Sequence, residues 1–389
     1  MYKNFLSKKT SIMVALVIVV MGVTGCKTNC KPSTTQKKLP TMTDYWEGNA
    51  YFHEFYTENY PQSRHLATEI IPVNGVWYRF ERYYVPATAE SLGTNVCKST
   101  DKGLSWSEPV IIVAPGGDNE WSRYATDCGA YYDGNKWHLL FQSMTWVADT
   151  PWNISYIVCD EEDATTGVWY EPPGVTNPVI HNRDIWDRIA IGDNHCTKIT
   201  GGEKQVFDEG TPKILVDDGT VYVTFHGASF TNGTIYGYRG IASTTDFITY
   251  TPAANDCIFD HYDAQSWDVD WQPGGSVGGG AAAYIKDGEY WYTMIESPDV
   301  SLGCIQGQNW PFGLLRSKRL TATQWENWTP NPPPELRPVG PSKTALTSWS
   351  YLTLFEDDGI TYMGVTNDWS TANNPGCAYR QYRLEWKEK

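Results

Sequence analysis

A turn repeated five times does most to limit what this chain can become. Asn74-Gly75, Asp133-Gly134, Asp218-Gly219, Asp287-Gly288 and Asp358-Gly359 each have an aromatic residue three positions after the glycine: Tyr78, Trp137, Tyr222, Trp291 and Tyr362. Asn-Gly or Asp-Gly between apolar runs is the strongest short-range hairpin signal, because the turn needs positive φ and Gly supplies it without strain. The turn glycines stand 59 to 85 residues apart, so each hairpin belongs to a unit of that size. The fullest copy is 207–226, where Glu209 opens the unit, an apolar strand follows, Asp218-Gly219 turns the chain, and an aromatic strand returns to His226.

A further strand follows most hairpins and ends in Ser or Asp ahead of an aromatic. The cases are 96–106 up to Trp106, 156–160 leading to Trp169, 240–247 leading to Tyr250, and 314–317 leading to Trp325. Tyr382-Arg383-Leu384-Glu385-Trp386 closes the last unit. Short antiparallel strands in units of this length, with almost no helix-period stretch, predict an all-β chain. The architecture expected is a five-bladed β-propeller of four-stranded antiparallel blades. Its 18 Trp, 25 Tyr and 12 Phe suit the wedges between blades. The stretch Ser99 to Trp106 matches the Asp-box pattern S-x-D-x-G-x-x-W seen in sialidases, a rim turn that supports a propeller and says little about activity. A sialidase would also need an arginine triad, a Tyr–Glu pair and six blades.

The first residues read as an address. Lys3, Lys8 and Lys9 precede an apolar or small run, Ser11 to Gly25, which is too short to span a bilayer as a helix. Val23-Thr24-Gly25-Cys26 resembles the bacterial lipobox, which implies lipidation at Cys26 and a cell-envelope location at the outer membrane, on its periplasmic or surface face. Residues 1–25 are therefore assigned as a signal peptide, 26–45 as a flexible tether and 46–389 as the propeller. The membrane is expected as a partner through that anchor only. A formal charge of −15, with no basic run after the tether, argues against a nucleic-acid partner, whose phosphates need clustered Lys and Arg. The cysteines are scattered, with no CxxC pair, so a zinc cluster is not expected; disulfides and buried thiols both remain open.

In a propeller the innermost strand of each blade lines a central channel, and the strand openings form the pocket. Glu69, Asp127 and Glu209 put a carboxylate near that opening in three successive units, whereas 278–283 and 347–350 do not. This arrangement resembles the family 43 glycoside hydrolases, related to families 32 and 117. Glu209-Gly210-Thr211-Pro212 is similar to the Glu-Gly-Pro context of that family's general acid, with one extra residue. The resemblance implies Glu209 as the acid, Asp127 as the residue that tunes it, and Glu69 as the base. Glu69 is a Glu without the following Pro that the family shows, so Asp118, Glu120 and Glu47 stand as alternatives. The chemistry needs one carboxyl that gives a proton to the leaving oxygen and another that activates water. A third acid nearby raises the donor's pKa by like-charge repulsion. The family inverts, which would separate acid and base by about 6.5–9.5 Å.

Around these acids, Arg188 and His195 lie in the long insertion before the third unit, which should overhang the pocket. Trp267, Asp268 and Trp271 combine aromatic faces for sugar C–H surfaces with a carboxylate for hydroxyls. Trp349 precedes the fifth turn, and His226 ends the third hairpin as a strand histidine near the channel. No cofactor and no metal ligand set are expected; some relatives implied by the resemblance hold a calcium or a water near a channel histidine, which keeps a structural calcium open. The function expected is hydrolysis of a plant or algal oligosaccharide or polysaccharide, exo-acting, by a monomer. The rivals are a carbohydrate-binding surface lipoprotein without turnover and a propeller polysaccharide lyase using Tyr and His.

Overall fold

The structure, a computed structural model, describes residues 38–59, 64–84, 92–116, 120–144, 152–181, 184–185, 210–231, 234–260, 282–296, 312–328, 349–367 and 378–388. A short helix, α1 (Met42–Trp46), precedes β1 (Ala50–Asn59). Blade one is β2 (Arg64–Val73), β3 (Val76–Tyr84), β4 (Leu92–Ser99) and β5 (Val110–Val113). Blade two is β6 (Tyr124–Tyr132), β7 (Trp137–Met144), β8 (Asn153–Cys159) and β9 (Trp169–Tyr170). Blade three is β10 (Gly210–Asp217), β11 (Thr220–Thr231), β12 (Thr234–Thr244) and β13 (Tyr250–Pro252), with β14 (Phe259–Asp260) also on β12. Blade four is β15 (Ala282–Asp287), β16 (Tyr290–Glu296), β17 (Phe312–Ser317) and β18 (Glu326–Asn327). Blade five is β19 (Trp349–Asp357), β20 (Ile360–Asn367) and β21 (Ala378–Trp386), completed by β1. The molecule is a five-bladed propeller of antiparallel blades.

Each repeated Asn/Asp-Gly joins the first and second strands of a blade. In blades one, three and five both turn residues have positive φ, for example Asn74 at 50° and Gly75 at 80°, which gives the tight turn that matches strand twist. The closure of the ring is the part that local sequence did not announce. The outer strand of blade five is β1, paired with β21 from Ala50↔Trp386 to Asn59↔Ala378. Joining the two ends of the chain in one sheet protects the last edge and ties the ring shut.

Burial follows the blades. Among the described residues five apolar clusters form, one at each blade-to-blade interface. Trp137, Phe141 and Ala125 of blade two meet Tyr78 and Phe80 of blade one, while Trp77 and Ile70 of blade one meet Phe355, Tyr362 and Tyr379 of blade five. The aromatic that recurs after each turn glycine therefore fills a wedge, and a buried large side chain contributes on the order of 2–3 kcal/mol. Polar ends are satisfied as well: the Trp77 indole donates to Asp357 at 2.9 Å and the Trp291 indole to Asp217 at 3.1 Å, each stitching a blade to the hairpin of the preceding one. The Asp-box forms the expected rim turn, with Gly103 N donating to Ser99 Oγ at 2.8 Å and Ser105 N to Asp101 Oδ1 at 2.9 Å.

One assignment shifts, and the open question of the cysteines is answered in part. Residues 39–45, read as part of a tether, belong to the propeller unit, which spans Leu39–Lys389. Thr41 and Asp44 form a capping box, and Met42 and Tyr45 are buried against blades four and five. Cys97, Cys128 and Cys159 are buried as thiols, whereas Cys257 is disulfide-bonded.

The inner strands of blades two and three approach so closely that a side chain is excluded. A Cβ on Gly129 would sit 2.7 Å from the Pro212 carbonyl oxygen and 2.8 Å from Lys213 Cα. These are backbone atoms of β10 and cannot rotate aside. Gly129→Ala is expected to cost roughly 1–3 kcal/mol or more, read as a lower denaturation midpoint. An unchanged midpoint would show that the strands separate freely.

Candidate functional site

The inner strands β2, β6, β10, β15 and β19 all run from the face where the connecting loops gather to the face where the Asn/Asp-Gly hairpins turn. On the loop side four of the five lose their regular register. Blade one slips at His65–Ala67 and Ala67–Glu69, blade two at Thr126–Cys128, blade three at Gly210–Lys213, and blade five at Ser350–Leu352. The bulged residues Asp127, Thr211 and Tyr351 have φ of 51°, 37° and 55°. Non-glycine residues in this left-handed region carry strain of order 1–3 kcal/mol, and such strain gathers where side chains must be re-aimed for function.

Asp127 is the centre of the first cluster. Arg82 of β3 reaches it from blade one, with Nε 3.0 Å from Oδ1 and Nη2 bonded to Oδ2. Tyr351 crosses from blade five and donates its hydroxyl to Asp127 Oδ2 at 3.0 Å, while itself accepting from Arg82. Thr126 Oγ1 donates to Asp127 Oδ1 at 3.1 Å. Asp127 and Arg82 are both buried. Among the described residues, every group bonded to this carboxylate is a donor, so both oxygens act as acceptors. The paired guanidinium offsets much of the negative field that Asp127 would cast on a neighbouring acid.

The second cluster holds the bulge of blade three. Thr211 N donates to Gln142 Oε1 at 3.0 Å, Thr211 Oγ1 lies 2.6 Å from His226 Nδ1, and Arg239 Nη2 donates to Thr211 Oγ1 at 3.2 Å. Burial first, and the Arg239 charge second, push the His226 imidazole down to about 3, so it is neutral. Gly210 is required here: a Cβ would meet Gln142 Oε1 at 2.2 Å and His226 Cε1 at 2.7 Å.

The third cluster lies one step deeper. Counted from the hairpin turn, Glu69, Lys213 and Thr353 each occupy the fifth cross-strand pair of their blade. Lys213 Nζ donates to Glu69 Oε2 at 2.9 Å and Thr353 Oγ1 to Glu69 Oε1 at 3.2 Å. Below this level a cavity of about 150 Å³ continues toward the hairpin face, lined by Glu69, Lys213, Ile214, Tyr284, Leu354 and Phe355 among others. The ion pair thus forms a polar floor across the channel.

The structure brings Glu69 and Asp127 to the same channel, joined through residues of one strand: Thr353 bonds the first and Tyr351 the second. Glu209 lies outside the described residues, one position before the bulge at Gly210. Arg188, His195, Trp267, Asp268, Trp271, Asp118 and Cys26 also lie outside them. Trp349 begins β19, and nothing is described of its side chain. His226 is placed behind Thr211, supporting the bulge. Glu47 caps α1 at the hairpin face, at the far end from Asp127, so it is no alternative base. Among the described residues no group of three His, Cys, Asp or Glu could hold a metal ion. Sequence reasoning missed Arg82, Lys213, Gln142, Arg239 and Tyr351, whose partners lie on other strands or other blades.

No family model matches the chain, and no curated protein does. Solved structures match the fold. BT0996, solved as an RGII complex, is 12% identical, with a TM-score of 0.59, covering 90% of this chain and 94% of that one. An α-L-arabinofuranosidase from Lactobacillus brevis is 13% identical, with a TM-score of 0.54, covering 85% and 94%. The family 43 β-1,3-galactosidase BT3683, solved with galactodeoxynojirimycin, is 17% identical, with a TM-score of 0.54, covering 84% and 92%. The fold expected from the repeated turns is the one these glycosidases share.

Proposed function

We propose that the protein is a glycoside hydrolase that cleaves a plant or algal oligosaccharide or polysaccharide by carboxylate catalysis, with inversion and from a chain end. The observation that carries this reading is Asp127: a buried carboxylate on a strained bulge, at the loop end of a five-bladed channel, fixed by donors from blade one and blade five. Such a built carboxylate is what glycosidic cleavage requires beside its proton donor. The names of the structural neighbours, an arabinofuranosidase and a galactosidase, support the same class. In this reading Glu209 gives the proton, Asp127 orients and tunes it, and Glu69 serves as base. The chain acts as a monomer in the cell envelope, held by a lipid on Cys26.

One observation favours the second reading, a sugar-binding lipoprotein without turnover. Glu69 is already engaged by Lys213 and Thr353, which leaves its carboxylate less available to a water. Incubating the purified protein with a panel of plant and algal oligosaccharides, with products identified by mass and anomer, separates the two. A defined sugar released with inverted anomeric configuration is the expected result. Binding to the panel with no cleavage of any member overturns the hydrolase reading, and an unsaturated, ultraviolet-absorbing product would replace it with a lyase.

A further inference from the structure

We infer that the hairpin-side half of the central channel is the route by which the hydrolytic water reaches Glu69, from behind the bound sugar. This rests on the reading of the protein as a hydrolase with Glu69 as its base. Each cleavage with inversion consumes one water. Its oxygen bonds to the anomeric carbon as the glycosidic C–O bond breaks; one of its protons passes to the base, and the leaving oxygen takes a proton from the acid. A sugar that enters at the loop end, where Asp127 lies, closes that end to solvent. The water attacks the face of the ring opposite the leaving group, so it needs a second entrance.

The chamber beneath Glu69 supplies one. It measures about 150 Å³, room for several waters, and is walled by the inner strands of blades one, three, four and five. Counted in cross-strand pairs from the hairpin turns, Glu69 stands at the fifth pair, and Pro72 and Glu356 at the second. The chamber therefore runs roughly 10 Å along the strands, the length of a file of about four hydrogen-bonded waters. A wholly apolar cavity of this size stays dry. This one has apolar sides, including Ile71, Leu215 and Phe355, but polar ends: Glu69 and Lys213 at the inner end and the exposed Glu356 at the outer one. Lys213 Nζ bonds one oxygen of Glu69 and Thr353 Oγ1 the other. A carboxylate has about four acceptor sites, so each oxygen keeps one for a water. The Glu69 side chain is 12% exposed, so space the size of a water reaches it. The ion pair that stops a sugar ring from descending thus offers donors and acceptors to a water rising from below.

The test caps the outer end without touching the site. Glu356 is exposed on β19 at the hairpin side, and Glu356→Trp places an indole at the chamber mouth. Crystal structures of wild type, at high resolution and again under xenon pressure, read the chamber directly. A file of ordered waters ending on Glu69, with xenon excluded, is expected. In Glu356→Trp those waters are lost and kcat on a cleaved oligosaccharide falls by about 10-fold or more with KM unchanged, whereas Glu356→Gln, which fills no space, keeps the wild-type rate. A wild-type chamber that holds xenon and no water overturns the inference, as does a Glu356→Trp protein that has lost the waters and kept its kcat. If wild type cleaves no glycan, the hydrolase reading has failed and the water route with it; the crystal result, which needs no substrate, distinguishes that failure from a dry chamber.

Discussion

Asp127→Asn lowers the rate of glycan hydrolysis by about 10²- to 10⁴-fold, the range spanned by a positioned acid–base group, and does so mostly in kcat. Asn presents an NH₂ group to a site where Arg82, Tyr351 and Thr126 all donate. Two things then change together. The buried guanidinium loses its counter-charge, a loss of about 3–5 kcal/mol in stability. If Glu209 is the proton donor tuned by Asp127, as proposed, it becomes a stronger acid in the variant, and the alkaline limb of the pH–rate profile moves to lower pH. A merely structural Asp127 would lower folded yield without moving that limb. The double variant Arg82→Leu/Asp127→Leu separates the effects, because replacing both partners of a buried pair by apolar groups is often close to neutral in stability. Recovered stability with no recovered activity is expected. Wild-type kcat in a folded Asp127→Asn protein would remove Asp127 from the chemistry.

What the sequence made legible follows the range of the interactions concerned. The blades are local objects: each Asn/Asp-Gly pairs strands that adjoin it, so turn chemistry alone predicts five hairpins and, from them, the ring. The join of β1 to β21 links residues such as Ala50 and Trp386, and nothing near either one signals it. The site divides in the same way. Asp127 is visible as an acid at a strand opening, but its partners arrive from β3 and β19 of other blades. Arg82 falls on the same alternating face as Tyr78 and Phe80, where local pattern predicts an apolar residue, and only Asp127 from the next blade accounts for a buried cation there. Lys213 sits among apolar residues as a lone cation, and only the ring geometry shows that it faces Glu69 across the axis. Bulges add a further reason. A single extra residue re-aims a side chain, and Asp127, Thr211 and Tyr351 carry the required positive φ without the glycine that would have betrayed it.

Lys213→Met is expected to affect the fold as strongly as Asp127→Asn and tests Glu69 at the same time. Lys213 is buried and Glu69 is largely shielded, with side chains 7% and 12% exposed. Removing the cation leaves the Glu69 carboxylate with Thr353 as its described donor, a loss of about 3–5 kcal/mol near neutral pH. The sign of the pH dependence follows from which form the site then favours. Without the ammonium, burial favours the protonated carboxyl. The stability lost by the variant is accordingly expected to be larger near neutral pH than in acid. Denaturation midpoints from pH 4 to 8 would show the gap to wild type widening with pH. Lys213→Met/Glu69→Leu should close most of that gap, since no buried charge remains. If Glu69 is also the base, the acidic limb of the Lys213→Met rate profile moves to higher pH, because a larger share of Glu69 is protonated at each pH. A pH-independent stability loss would show that Lys213 matters through packing of its stem. An acidic limb that stays in place while the stability gap widens would leave Glu69 as the floor of the channel and assign the base to another acid.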